Sequence, residues 1–189
     1  MVNYIKTFNQ LFEDLSSLRY GHPGEFEPVI QVDLNKYKRN PSFFDTVNSE
    51  LRSGKKEEDL DRVHRMFCNN MDEAIKNKKT KDEIEVYRIV DMDEEPINER
   101  PYPKPKSGSK LTDPGYMSTS IDMDYLESQT ENYEDPLIIT IKVPAGTPYY
   151  MFSKDDFESE ILFGRNHTLT YTSDPSKKAG YTVVNATMS

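Results

Sequence analysis

Near residue 78 the apolar residues of this chain change their spacing, and that change decides which class of fold is open to it. Before it, Ile5, Phe8, Leu11, Phe12, Leu15 and Leu18 recur at steps of three and four, which lines one face of a helix. A second helix is expected from Pro41, a residue suited to a first turn because it lacks the N–H that a first turn leaves unpaired. Its inward positions are Phe43, Phe44, Val47 and Leu51, with Gly54 near its end. A third helix is expected over about 57–77, with Leu60, Val63, Phe67, Met71, Ala74 and Ile75 on one face. Between the first two, Val29-Ile30-Gln31-Val32 reads either as a short strand or as buried loop. From residue 84 onward the runs are short, β-branched and cut by Pro and Gly: 84–90, 115–120, 137–143, 148–152, 158–163, 168–172 and 181–187. That is the pattern of a small β core. Pro96, Pro101, Pro103 and Pro105 make 91–110 a long connection. Helices followed by strands give an α+β fold, with a helical lobe over 1–82 and a β core over 83–189 of one domain.

Composition narrows the partners. A chain of 189 residues can bury a sizeable interior. Only 35% of it is hydrophobic, but 9 Phe and 12 Tyr each bury a large area. A net charge of −9 argues against a duplex nucleic-acid binder, which draws its affinity from Lys and Arg, and leaves room for a local basic pocket. The single cysteine, Cys68, rules out an internal disulfide and a multi-thiolate metal site, and it reads as a core residue. His22, His64 and His167 are too dispersed for a metal site. No stretch approaches the roughly 18 apolar residues of a membrane span. Lys6, Glu13 and Asp14 break the apolar positions at the start, unlike a signal peptide, so action in a cytosol is expected.

Three short segments carry candidate chemistry. In Glu85-Val86-Tyr87-Arg88-Ile89-Val90 the alternation of a strand puts Arg88 on the same face as Val86 and Val90. A guanidinium there needs an anionic partner, or it snorkels to solvent from an edge strand. In Tyr116-Met117-Ser118-Thr119-Ser120 the hydroxyls can orient a carboxylate or a ligand, although such a run is also ordinary strand surface. In Phe157-Glu158-Ser159-Glu160-Ile161-Leu162-Phe163, Glu158 and Glu160 share one strand face at the mouth of an apolar run. That is either a solvated acidic strand start or a working pair of carboxylates. Acid pairs on a strand suit reactions with an oxocarbenium-like transition state, where one carboxylate stabilises the sugar cation and the other handles the acceptor. A lone arginine can hold a pyrophosphate-type anion through its fork of donors.

Aromatic-Arg, then Ser-Thr-Ser, then Glu-x-Glu, on successive strands behind a helical lobe, resembles the arginine-specific mono-ADP-ribosyltransferases. These include actin-modifying binary toxins, injected bacterial effectors and phage enzymes. Thr46-Val47-Asn48-Ser49-Glu50-Leu51-Arg52 is similar to the helix before the first catalytic strand of the toxin branch. Glu160-Ile161-Leu162-Phe163-Gly164-Arg165 is similar to its Glu-x-Leu-Leu-Pro-Arg, with Gly164 in the proline position. The resemblance implies a β-sandwich core of two small antiparallel sheets and a cleft for NAD, with no metal.

It also implies roles. Arg88 would bind the phosphates on the nicotinamide side of NAD, and the backbone of Ile89 would contact the nicotinamide amide. Ser118 would orient Glu160, while Thr119 and Ser120 shape the nicotinamide pocket. Glu160 would hold the ribose 2′-hydroxyl, and Glu158 would engage the acceptor arginine of a protein target. Members that modify asparagine or guanine usually carry Gln at that first position, so Glu158 points to arginine. Phe152 or Phe157 would be the aromatic contact to the target, beside a target-facing loop over 154–157. Residues 122–135 would form a mobile loop over the nicotinamide phosphate; this loop has no Lys or Arg, so the NAD site either leans more heavily on Arg88 or borrows a cation from the helical lobe, such as Arg52. Such an enzyme would act in the cytoplasm of a target or host cell, made there by a phage or delivered by an injection route. Two rivals stand beside this reading: related chemistry with water or a nucleic acid as acceptor, and a non-catalytic module whose acidic strand docks a basic partner.

Overall fold

A computed structural model describes residues 28–92, 102–152 and 159–189, so the stripe expected over 5–18 lies outside the described residues. The described helices are α1 (Pro28–Arg39), α2 (Pro41–Arg52), α3 (Arg62–Lys76) and α4 (Met123–Gln129). The strands are β1 (Ile84–Asp91), β2 (Lys110–Asp113), β3 (Met117–Ser120), β4 (Pro136–Val143), β5 (Tyr149–Met151), β6 (Glu160–Phe163), β7 (His167–Tyr171), β8 (Ser176–Lys178) and β9 (Tyr181–Met188).

The segment 29–32 is neither strand nor loop but part of α1. Ile30, Leu34 and Tyr37, spaced four and three apart, form its buried face, and Asn70 of α3 donates to Asp33 at 2.6 Å. A four-residue segment with three apolar positions cannot by itself distinguish a strand from a buried helical turn. In α2, Asn40 caps the first turn by accepting from the Phe43 amide, and Gly54 takes a left-handed φ of 88° just past the end. Phe44, Val47 and Leu51 are buried as expected; Phe43 is half-buried at the edge of the same cluster. The third helix begins later than the periodicity predicts. A 3₁₀ turn covers Glu57–Asp59, and Asp61 then caps a fresh helix by accepting from the His64 amide at 2.8 Å. Leu60 is therefore buried outside the helix, and Val63, expected inward, is 55% exposed on its first turn.

The strands form one sheet in the order β2-β7-β9-β4-β1-β3-β6-β5, with β8 attached to β9. The α+β class stands. The ladder, however, runs without a break, where two separate antiparallel sheets were expected, and β4 with β9 is a parallel pair. β6 is buried along its whole length because it serves two cores. Ile161 and Phe163 face the cluster within the β core, while Leu162 joins Tyr116, Tyr150 and Phe152 against Leu34, Phe44, Phe67 and Met71 of the helices. Among the described residues no helix is long and apolar enough to cross a membrane.

Candidate active site

Alternation along β1 gives the predicted inward row of Val86, Arg88 and Val90, all buried. The Arg88 guanidinium donates to the Ser118 carbonyl at 3.0 Å and lies 3.9 Å from the Asp113 carboxylate. Asp113, at the end of β2, also receives a two-pronged pair from Arg52 of α2, at 3.0 and 2.9 Å, and the Gly115 amide at 2.9 Å. Burial pushes the Asp113 carboxyl up, but the Arg52 and Arg88 guanidiniums outweigh it and hold the group below the ordinary carboxylate value. One buried anion thus steadies two arginines that line the same cavity.

Asn48 sits in the apolar stripe of α2, between Val47 and Leu51, yet is 6% exposed. Its amide closes on the backbone of Tyr116, accepting from N–H at 2.8 Å and donating to C=O at 3.3 Å. That clamp fixes the chain two residues before Ser118. β3 then pairs with β6 in the register Ser118↔Leu162, Thr119↔Ile161, Ser120↔Glu160.

The three hydroxyls of β3 divide their work. Ser118 Oγ donates to Glu160 Oε1 at 2.5 Å. Thr119 donates to the Ile161 carbonyl at 2.8 Å, stitching β3 to β6. Ser120 accepts from the Asp122 amide at 2.9 Å, which fixes the turn into α4. Glu160 is only 5% exposed, and a buried carboxylate demands donors. Besides Ser118 it receives the hydroxyl of Tyr37 on Oε1 and the ammonium of Lys38 on Oε2 at 2.7 Å, both from α1.

Arg88, Ile89, Ser118, Thr119, Ser120 and Glu160 all line one cavity of about 270 Å³. Phe44, Asp45 and Asn48 of α2 and Tyr87 of β1 also line it and were not expected from sequence, whereas Tyr125, Leu126, Gln129 and Tyr133 come from the 122–135 segment that was expected to cover the site. That segment is not the expected mobile loop. Asp122 caps α4 by accepting from the Tyr125 amide at 3.0 Å, Leu126 is buried, and a 3₁₀ turn follows over Thr130–Asn132. Phe152, expected to meet a protein target, is 8% exposed; its ring stacks on Tyr37 at 4.9 Å and meets Tyr150 edge-on at 4.8 Å. Its ring is thus packed within the inter-lobe core. Phe157, Glu158 and the loop over 154–157 lie outside the described residues.

The cavity pairs two guanidiniums with a buried carboxylate and tyrosine rings, a donor set that fits the pyrophosphate, ribose and flat bases of a dinucleotide. Among the described residues no group of three His, Cys, Asp or Glu side chains could hold a metal ion.

Comparison with curated protein sequences gives no match. Solved structures share the fold at low identity. The C3larvin toxin of Paenibacillus larvae, an ADP-ribosyltransferase, superposes with a TM-score of 0.62 at 21% identity, over 87% of this chain and 89% of that one. The C3 exoenzyme of Clostridium limosum gives 0.65 at 18% identity, over 87% of each chain. An ADP-ribosyltransferase of Clostridium botulinum gives 0.67 at 16% identity, over 95% of this chain and 91% of that one. The family model of the ADP-ribosyltransferase exoenzymes, transferases that take NAD as substrate and modify protein targets, matches residues 29–189. That match spans every described element but the first residue of α1, and with it the chain belongs to the ADP-ribosyltransferase exoenzyme family.

Proposed function

We propose that this chain transfers ADP-ribose from NAD to an arginine side chain of a protein target, releasing nicotinamide. One pairing carries the reading: Arg88, Ser118 and Glu160 share a cavity, and the sequence places a second carboxylate, Glu158, two positions before Glu160. NAD supplies an N-glycosidic bond whose cleavage leaves positive charge on the ribose. Arg88 binds the phosphates through its fork of donors, with Arg52 beside it on the same carboxylate. Ile89, Thr119 and Ser120 border the nicotinamide. Glu160, oriented by Ser118, accepts from the ribose hydroxyl, and its negative charge stabilises the cation as nicotinamide departs. Glu158 orients the acceptor guanidinium and takes its proton, which a group ionising above pH 12 does not give up unaided. Phe157 remains the proposed aromatic contact to the target.

Nicotinamide release, measured with and without a simple guanidino acceptor, tests this reading. Wild type should be stimulated by the acceptor. Glu160→Gln should lose release by roughly 10²-fold or more. Glu158→Gln should keep slow hydrolysis and lose transfer. Release that ignores the acceptor and survives Glu158→Gln would replace arginine by water or another acceptor. A folded wild type that neither binds NAD nor releases nicotinamide would end the enzyme reading in favour of a docking module.

A further inference from the structure

Taking the proposed role of Glu160 as given, we infer that Tyr37 is a positioning residue for it, and that the working oxygen of Glu160 is Oε2, which Lys38 caps in the free protein. Two hydroxyls, those of Tyr37 and Ser118, converge on Oε1 from opposite lobes. An oxygen that already accepts two O–H bonds has little left to offer a ligand. The other oxygen, Oε2, pairs with the Lys38 ammonium at 2.7 Å.

The three α1 and β3 donors differ in how firmly they are held. Tyr37 is 7% exposed, with its ring stacked on Phe152 at 4.9 Å and edge-on to Phe44 at 4.2 Å, so its hydroxyl cannot swing away without disturbing the inter-lobe core. Ser118 is anchored in a strand paired on both sides. The Lys38 side chain is 26% exposed on a flexible four-carbon stem, resting over the Phe152 ring at 4.9 Å. Two rigid donors therefore set the carboxylate plane, and a movable cation covers the remaining oxygen. A hydroxyl of the substrate ribose reaches Oε2 only when the ammonium yields it. Lys38 then keeps a nearby seat over the Phe152 face, where a cation is favoured.

Steady-state nicotinamide release by the full chain tests this, with thermal unfolding of each variant alongside and Glu160→Gln as reference. Tyr37→Phe removes one oxygen and keeps the ring stack, so its kcat should fall about tenfold with KM for NAD within twofold. Two residues that fix one oxygen act as a unit, so Tyr37→Phe with Ser118→Ala should be about as slow as the slower single variant. Lys38→Met should lower KM several-fold. Losses that multiply in the double variant, or a Tyr37→Phe kcat within twofold of wild type, would overturn the assignment of Tyr37. A raised KM in Lys38→Met would show that Lys38 binds the dinucleotide, and would overturn the capped oxygen. If Glu160→Gln itself keeps full release, the role of Glu160 fails first, and that outcome is distinct from the other two.

Discussion

Asp113 illustrates how one side chain with no place in the cavity wall governs the charges inside it. Its carboxylate is the shared partner of Arg52 and Arg88, and removing one member of a buried ion cluster leaves the others uncompensated. Asp113→Asn should cost about 3 kcal/mol in denaturant unfolding and raise KM for NAD, since both guanidiniums lose their anchor. The same group predicts a pH effect. Its folded carboxyl ionises below the ordinary value of 3.8, so its stabilisation is complete above that value and is lost as pH falls through the lower folded one. Wild type should therefore lose stability below about pH 4 more steeply than Asp113→Asn, as unfolding at stepped pH would reveal. At this scale much of the cavity was legible beforehand: Arg88, Ser118 and Glu160 were each singled out from strand alternation and motif order. The Tyr37 contact to Glu160 was not, because 123 positions separate the two and no local period links them. Asn48 left a readable trace, as a lone amide in an apolar helical stripe; Asp113, in a polar four-residue strand, left none.

At the cavity, side chains of α2 close directly on the backbone of Gly115, just before β3. A Cβ there would lie 2.6 Å from Asn48 Oδ1 and 3.2 Å from Arg52 Nε. Gly115→Ala should push α2 off β3, destabilise the fold by about 1–3 kcal/mol and weaken NAD binding, checked by unfolding and by titration. Gly164 is the contrasting case. Its nearest neighbours to an added Cβ stand 3.8 and 4.0 Å away, so Gly164→Ala should leave stability unchanged or raise it by up to about 1 kcal/mol. Long elements with a steady period, such as α2 and β4, were readable from the sequence. α4 was not: seven residues with one buried side chain give no period to detect. β2 and β8 are too short and polar to stand out, and α1 hid behind the short segment Val29-Ile30-Gln31-Val32, whose helical face emerges only with Leu34 and Tyr37.

For the molecule as a whole, one of the two cores is shared by the helical lobe and the sheet, and Arg165 ties these electrically. Its guanidinium reaches Glu57 at 2.9 Å and pairs with Asp72, whose other oxygen accepts from the Tyr116 hydroxyl at 2.8 Å. Unfolding should accordingly be a single transition, and Arg165→Met should lower its midpoint without splitting it. Cys68 offers a built-in reporter, since it is fully buried and burial pushes its thiol up to about 11. Labelling by a thiol reagent at neutral pH should be slow in wild type and several-fold faster in Arg165→Met; equal rates would mean that the tie contributes nothing. The sheet order has a consequence for how the protein comes into being. β9, the last of the described strands in chain order, lies between β7 and β4, so the middle of the sheet is filled by the strand that leaves the ribosome after all its neighbours. Pairings of such long sequence separation form slowly. A nascent chain halted before residue 181 should leave β4 with one open edge and be cut readily by protease, so the enzyme stays unfinished in its maker until synthesis of that strand is done.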